Sequence, residues 1–538
     1  MSGFTSISLI LSGAFSNSEI IAEFGLLPPA FLPLGVGRLY DIQVQALRDS
    51  IQDAEPLYLT VPESFEVPAH DRRCLANKGV SLLSVPDGLS LGESLVYAIN
   101  VVNAYAGGVR LLYGDTQIGT IPSGFDVVAG HIEGDDYSWA AINHKNDEIV
   151  SLETIEAANE MDLDRPVACG YFAFSSGAEI VRMVSQARGD FIKGLNLYNR
   201  HLPLTLSWVD EWYDFGHLQT YFRSRRVVTT ARVFNNLQIT HNTVCKRSAD
   251  TFKMSAEAEW FENVPPSVQP YTARLLEKHV DGPSASYTTE YQYAPNLAEI
   301  YVFGQIGRAT WKKILASSIE FLEICTKTVG EAPREKYSRE LMGKKSFGRL
   351  EQFARESGFD IERELTYKNR PTPSLLSIAY ELERLIPISH EEPCTLIHGD
   401  FCFSNILYNS RNDRISVIDP RGYVFSGKRE IYGDFRYDLA KYSHSVDGLY
   451  DFILAGRYDL TQRNAYDFEL NFDVSPQRQW LQDSFADVTI AGASASGTDI
   501  RAIMISLFIS MLPLHADRPD RQKAFIANAL RLFTQMKG

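Results

Sequence analysis

The sequence predicts two folded domains: an α/β domain on a mostly parallel sheet with helices on both faces, then a two-lobed α+β domain. Three observations lead there. Strand-like and helix-like segments alternate through the first 113 residues, the pattern of a parallel sheet with helical crossovers. A β-rich stretch from about residue 229 to 300 gives way to segments of helical periodicity. Among these helices, Leu396 to Tyr408 reads L-I-H-G-D-F-C-F-S-N-I-L-Y and is followed by I-S-V-I-D-P, so that an acid ends each of two apolar strands.

Length and composition bound the rest. At 538 residues the chain exceeds what one core supports. It is 45% hydrophobic and 22% charged, which is ordinary for a folded protein and excludes a disordered one. A formal net charge of -15 argues against nucleic acid or an anionic membrane as the main partner. The six cysteines show no C-x-x-C pairing or metal spacing and read as reduced structural thiols. The first residues lack a positive n-region, and the longest apolar stretch, Ala502 to Leu514, is too short to span a bilayer. A cytoplasmic location without membrane insertion is the expectation; oligomeric state is not readable.

In the first half, a strand at Ser6–Leu11 opens the pattern and a helix starts near Leu39. Strands follow at Leu57–Val61 and Val80–Ser84, a helix at Gly92–Tyr105, and a strand at Val109–Tyr113. Ligands of such sheets bind at the carboxyl ends of strands, and Asp115 stands at one. P-P-A-F-L-P-L-G-V-G-R-L, L-L-Y-G-D at Leu111–Asp115, C-G-Y-F-A-F at Cys169–Phe174 and W-Y-D-F-G-H at Trp212–His217 follow one another in order. Together they resemble the sugar-phosphate nucleotidyltransferases. That resemblance implies a Rossmann-like fold, Asp115 and Asp214 as Mg²⁺ ligands, and a second nucleotide (CTP, UTP or GTP). The chain departs from the pattern where the family is basic. Ala14 to Glu19 offers no cation, Pro29 replaces the family's phosphate lysine, and Arg38 is the only cation nearby. A leaving pyrophosphate is normally neutralised by such clamps.

No Pro- or Gly-rich linker follows, and the boundary is set at 228, giving domains 1–228 and 229–538. The small lobe would span about 229–300 and the large lobe about 301–538. T-V-C-K-R-S at Thr243–Ser248 is strand-like and K-M-S-A-E-A-E-W-F is helix-like. The arrangement resembles the small lobe of kinase-like folds, and the resemblance implies that Lys246 contacts nucleotide phosphates with Glu257 orienting it, Lys253 and Glu259 being the alternatives. No Gly-rich lid is present, so a polar hairpin bearing Arg232, Asn235 and Asn236 would cover the phosphates. Tyr287 to Pro295 resembles the edge strand and hinge between such lobes, the alternative being an aromatic-rich structural strand. The run Lys336 to Lys345 is basic, a solvated face or an attractor of a phosphorylated substrate.

Phosphoryl transfer needs one carboxylate to orient a hydroxyl and accept its proton, and an amide oxygen and a second carboxylate to hold Mg²⁺. Asp400 supplies the first, Asn405 and Asp419 the pair. The bland alternative is turn residues at strand ends, where Asp is common. H-G-D-x-x-x-x-N-I-L, I-D-P, and G-D-F-R-Y-D-L-A-K at Gly433–Lys441 resemble the aminoglycoside phosphotransferase and choline kinase family, of protein-kinase-like fold. The resemblance implies ATP and Mg²⁺ as cofactors and an acid such as Asp438 bracing the catalytic loop. Arg421 would meet phosphate or substrate, or pair with Asp434 or Asp438. As a whole the chain resembles bifunctional capsular polysaccharide biosynthesis proteins. That implies a kinase acting on a hydroxyl of a sugar, polyol or amino alcohol, with its product coupled to a nucleotide for surface-glycan synthesis. The alternative is a kinase whose first domain only binds or positions a sugar nucleotide.

Overall fold

The structure is a computed structural model that describes residues 6–50, 55–132, 140–154, 165–230, 237–339, 342, 345–388, 392–425 and 428–537. Two compact units form. One comprises 1–226 with 303–305, the other 227–302 with 306–538.

The first unit is organised by a nine-stranded sheet. Its strands are β1 (Ile7–Leu11), β2 (Leu57–Pro62), β3 (Val80–Val85), β4 (Val109–Tyr113), β5 (Val127–His131), β6 (Ala140–Lys145), β7 (Glu148–Thr154), β8 (Val167–Phe174) and β9 (Thr205–Trp208). Their spatial order is β3-β2-β1-β4-β8-β5-β9-β7-β6. β1 to β4 pair in parallel; β1 and β2 are the nearly fully buried apolar runs such sheets require, while β3 lies at the sheet edge and is partly exposed. The crossover helices are Leu39–Ser50, Ala69–Asn77 and Leu91–Val102. The third starts on a capping box in which Ser90 and Glu93 satisfy each other's backbone N–H groups.

Beyond β4 the expectation of a mostly parallel sheet fails. β8 runs antiparallel to both β4 and β5, and β7 runs antiparallel to β6 and β9. A further antiparallel pairing, Val167 with Ala141, joins β8 to β6 and closes a ring of five strands. The sheet is therefore mixed, and only its first four strands follow the Rossmann-like pattern. β8 is buried along nearly its whole length and carries Phe172 and Phe174 into the core.

The second unit begins with a four-stranded antiparallel sheet. Its strands are β10 (Leu237–Ile239), β11 (Thr243–Ser248), β12 (Leu275–Asp281) and β13 (Ser284–Glu290), in the order β10-β11-β13-β12. β13 is thus an internal strand, not the edge strand expected from Tyr287–Pro295. Helix α1 (Thr251–Asn263) follows β11, and Asp250 caps it by accepting from the Lys253 N–H. The remainder is mainly helical, with α2 (Arg308–Lys327), α3 (Lys345–Ser357), α4 (Arg436–Val446), α5 (Thr498–Ser510) and α6 (Pro519–Lys537). Every residue of α4 is buried, and it packs on α5. No helix among the described residues is long and apolar enough to cross a membrane.

Candidate active site

The geometry of the second unit converges on the end of the strand Pro393–Leu396. Past it the chain turns through His398-Gly399-Asp400 and enters the hairpin Ile406–Asn409 with Arg414–Val417, which brings Asp419 back beside it. Gly399 has φ +79°, and a Cβ there would lie 2.7 Å from the Arg421 Cβ. Only glycine fits the turn.

His398 is fully buried and holds the loop with both ring nitrogens. Nε2 lies 3.0 Å from the Ile418 carbonyl, and the Asp400 N–H donates to Nδ1 at 3.3 Å. The acceptor role of Nδ1 makes Nε2 the protonated nitrogen of a neutral ring. Burial pushes the His398 pKa down to about 4, consistent with that state. The Trp260 indole, on α1, donates to the Ile397 carbonyl at 2.8 Å. Asp438 accepts from the backbone N–H groups of His398 (2.6 Å) and Gly399 (2.8 Å) and braces the turn from α4. Burial raises its pKa to about 7 against the pull of those two donors.

Asp400 is partly exposed at the end of this turn. Its Oδ2 accepts from Asn405 Nδ2 at 3.0 Å, and its Oδ1 pairs with Lys441 Nζ at 2.7 Å. Burial would raise the Asp400 pKa, but Lys441 and Arg421 outweigh it and hold the carboxyl well below its usual range. Asp419 adopts φ +55°, a left-handed conformation that Asp tolerates better than most side chains. Its Oδ1 lies 3.2 Å from Lys246 Nζ. Lys246, on β11, also reaches Glu257 Oε2 on α1 at 2.7 Å. Glu257 accepts in addition from the Tyr287 hydroxyl at 2.8 Å. Burial disfavours charge on Lys246, yet Asp419 and Glu257 raise its pKa.

The structure therefore brings Lys246, Glu257 and Asp419 together, and Asp400 with Asn405. The alternatives separate from them: Glu259 pairs with Arg429 at 2.5 Å, and Lys253 comes no nearer than 3.9 Å to Glu257. Arg421 does not take Asp434, which pairs with Arg436 at 2.7 Å; its guanidinium lies over the rings of Tyr437 and Tyr423. Arg232, Asn235 and Asn236 lie outside the described residues. Cys402 is buried packing, its thiol pushed up to about 12 by burial. Sequence reasoning missed Lys441, although G-D-F-R-Y-D-L-A-K ends on it, and missed Tyr287 as a partner of Glu257. Asn405 and Asp419 offer hard oxygen donors beside a lysine, a set that suits Mg²⁺ shared with nucleotide phosphates.

Gly422, three residues past Asp419, fits against α1. It has φ +65°, and a Cβ there would stand 1.9 Å from the Ala256 carbonyl oxygen, one residue before Glu257.

In the first unit, Asp115 and Asp214 meet. Thr116–Ile118 pairs with Trp212–Asp214, and Phe215 N–H donates to the Asp115 carbonyl at 2.8 Å. A Cβ on Gly216 would lie 2.8 Å from Asp115 Oδ2 and 3.3 Å from Asp214 Oδ1, so both carboxylates flank that glycine. Burial, then the neighbouring Asp214, raises the Asp115 pKa to about 7. Thr220 donates to Asp214 at 2.5 Å, and the Asp214 contact raises the His217 pKa. Two facing carboxylates suit a divalent cation, although no group of three or more His, Cys, Asp or Glu able to hold a metal is found among the described residues. A cavity of about 310 Å³ opens here, lined by Ser12 to Asn17, Tyr113 to Asp115 and Gly216 among others. None of its lining residues is Lys or Arg. Arg38 is buried elsewhere, paired with Asp71 at 3.0 Å and donating to the Phe31 carbonyl.

No protein-family model and no curated protein matches the chain. Solved structures resemble it in part. HddC from Yersinia pseudotuberculosis is 11% identical over 42% of this chain and 99% of its own, with a TM-score of 0.31. A UTP-bound UGPase from Acinetobacter baumannii is 12% identical over 41% of this chain and 92% of its own, TM-score 0.30. An aminoglycoside phosphotransferase in ternary complex with ADP and hygromycin B is 11% identical over 57% of this chain and 96% of its own, TM-score 0.35.

Proposed function

We propose that the second unit is an ATP-dependent kinase that phosphorylates a hydroxyl of a small molecule. The observation that carries this reading is the position of Lys246, 2.7 Å from Glu257 and 3.2 Å from Asp419. A lysine so held meets nucleotide phosphates, while Asp400 waits beside Asn405. In this reading the acceptor oxygen bonds to the γ-phosphorus, the bond from that phosphorus to the β,γ-bridging oxygen breaks, and ADP leaves. The hydroxyl proton passes to Asp400. Mg²⁺, held by Asn405 and Asp419, would neutralise phosphate charge. Asp400 is kept ionised and is a weak base, so its role is chiefly to orient the hydroxyl, as a loose transition state requires. The test is ³¹P NMR with Mg-ATP and a panel of sugars, polyols and amino alcohols. Wild-type protein should yield a new phosphomonoester and Asp400→Ala none; normal turnover by the variant would refute the assignment.

The first unit admits two readings. Nucleotide transfer to the kinase product, with UTP, CTP or GTP, would suit synthesis of a surface-glycan precursor. The cavity beside Asp115, lined by no Lys or Arg, favours the other: a unit that binds a ligand without expelling pyrophosphate. With each nucleotide, Mg²⁺ and the phosphorylated product supplied, pyrophosphate release decides between them.

A further inference from the structure

Four cationic side chains gather on the large-lobe side of Asp400. Lys441 pairs with it directly at 2.7 Å. The Arg421 guanidinium lies 5.2 Å from the centre of the Tyr437 ring, and Lys345 Nζ lies 5.7 Å from the same centre. Lys345 also reaches the Tyr437 hydroxyl at 3.3 Å. Arg349 is four residues further along α3, on the same helix face, and donates to the Ser510 carbonyl at 3.2 Å. Among the described residues, none of Arg421, Lys345 and Arg349 has a carboxylate within ion-pair distance. Arg421, Lys345 and Lys441 push the Tyr437 hydroxyl down to about 7 against burial, so that it and Asp400 answer part of this charge; the remainder is costly unless something supplies the balance.

The nucleotide does not account for them. Its phosphates fall to Lys246, which stands on the small-lobe sheet, whereas α3 packs on α5 in the large lobe. A neutral or cationic acceptor would gain nothing from such a wall. The local excess is notable in a chain of net charge -15. Burial and the nearby Arg421 push the Lys345 amine down to about 7, a cost that an oxyanion seated against it would remove.

We propose that the acceptor carries its own oxyanion, a phosphomonoester or a carboxylate, held by Lys345, Arg349 and Arg421 while its hydroxyl reaches Asp400. A sugar phosphate, polyol phosphate or sugar acid meets that description. The inference rests on the kinase reading above and narrows its substrate class.

The test uses the full chain saturated with Mg-AMP-PNP, so that the nucleotide phosphate positions are filled. Thermal shift is followed against glycerol 3-phosphate, glucose 6-phosphate, glucuronate and inorganic phosphate, with glycerol and glucose as neutral counterparts. At least one anion should stabilise the wild type at tenfold lower concentration than its neutral counterpart. Phosphates and glucuronate separate the two oxyanions. Lys345→Ala should lose that stabilisation and keep the AMP-PNP shift, and Lys345→Arg should restore it. The melting temperatures without ligand report whether each variant folds. Anions that bind no better than neutral analogues, or equally well to Lys345→Ala, overturn the inference and leave the kinase standing. Failure of wild-type protein to respond to AMP-PNP overturns both.

Discussion

Lys441 Nζ stands 2.7 Å from Asp400 Oδ1, so the carboxylate assigned to orient the acceptor is already paired with an ammonium from a buried helix. Removing that ammonium should raise the Asp400 pKa, with Arg421 left to oppose burial. A group whose pKa rises stays protonated to higher pH. The acid limb of the kcat profile of Lys441→Met should therefore move to higher pH. An unmoved limb would separate Lys441 from the base.

Glu257 is fixed by Lys246 and by the Tyr287 hydroxyl. Charge-assisted hydrogen bonds of this kind contribute roughly 1.5–3 kcal/mol. Glu257→Gln should weaken Mg-ATP binding by about 10- to 100-fold, and Tyr287→Phe should do so less. Isothermal titration with AMP-PNP reads both directly. Equal affinities in all three proteins would remove the pair from the nucleotide site.

The ring of His398 is held neutral, with its pKa near 4 against an ordinary value of about 6.5. For a base whose folded pKa is depressed, the associated stability is full above the unfolded value and is lost as pH falls from about 6.5 to about 4. Imidazole carbon shifts should show no titration of His398 above pH 5. A midpoint near 6.5 would contradict the buried, doubly bonded ring.

Asp115 runs the other way. Its folded pKa lies near 7, above the ordinary carboxylate value, so its ionisation weakens the fold as pH rises through that interval. Asp115→Asn should melt higher than wild type at pH 8 and about equally at pH 4, by ~2–4 °C per kcal/mol in a domain of this size. MgCl₂ should narrow the difference at pH 8 by stabilising the wild type alone. Calorimetry across pH settles it, and phosphorylation by the second unit should be unaffected.

What could be read from the chain was local. His398, Asp400, Asn405 and Asp419 lie within 22 consecutive residues, and their placement follows from a strand, a turn and a hairpin. The four parallel strands were equally legible, because each is a short, largely apolar run and the first three are each followed by a helix. The ring closure was not, because it depends on Val167 pairing with Ala141 across 25 residues, and strand composition does not encode a partner. The same limit hid the internal position of β13. Lys345 ended a basic run whose sequence left open a solvated face or an attractor of a phosphorylated substrate; only the fold sets it against Tyr437. Arg38 stands where a phosphate contact was sought, but Asp71, 33 residues away, takes it.

The fit of Gly422 beneath Ala256 has a consequence for control. Many kinases are silenced by swinging the glutamate-bearing helix away from the lysine. Here the loop that follows Asp419 lies flush against that helix, with no room for even a methyl group between them. In the kinase reading, a swing of the helix that carries Glu257 would have to break this contact, so the loop after Asp419 opposes it.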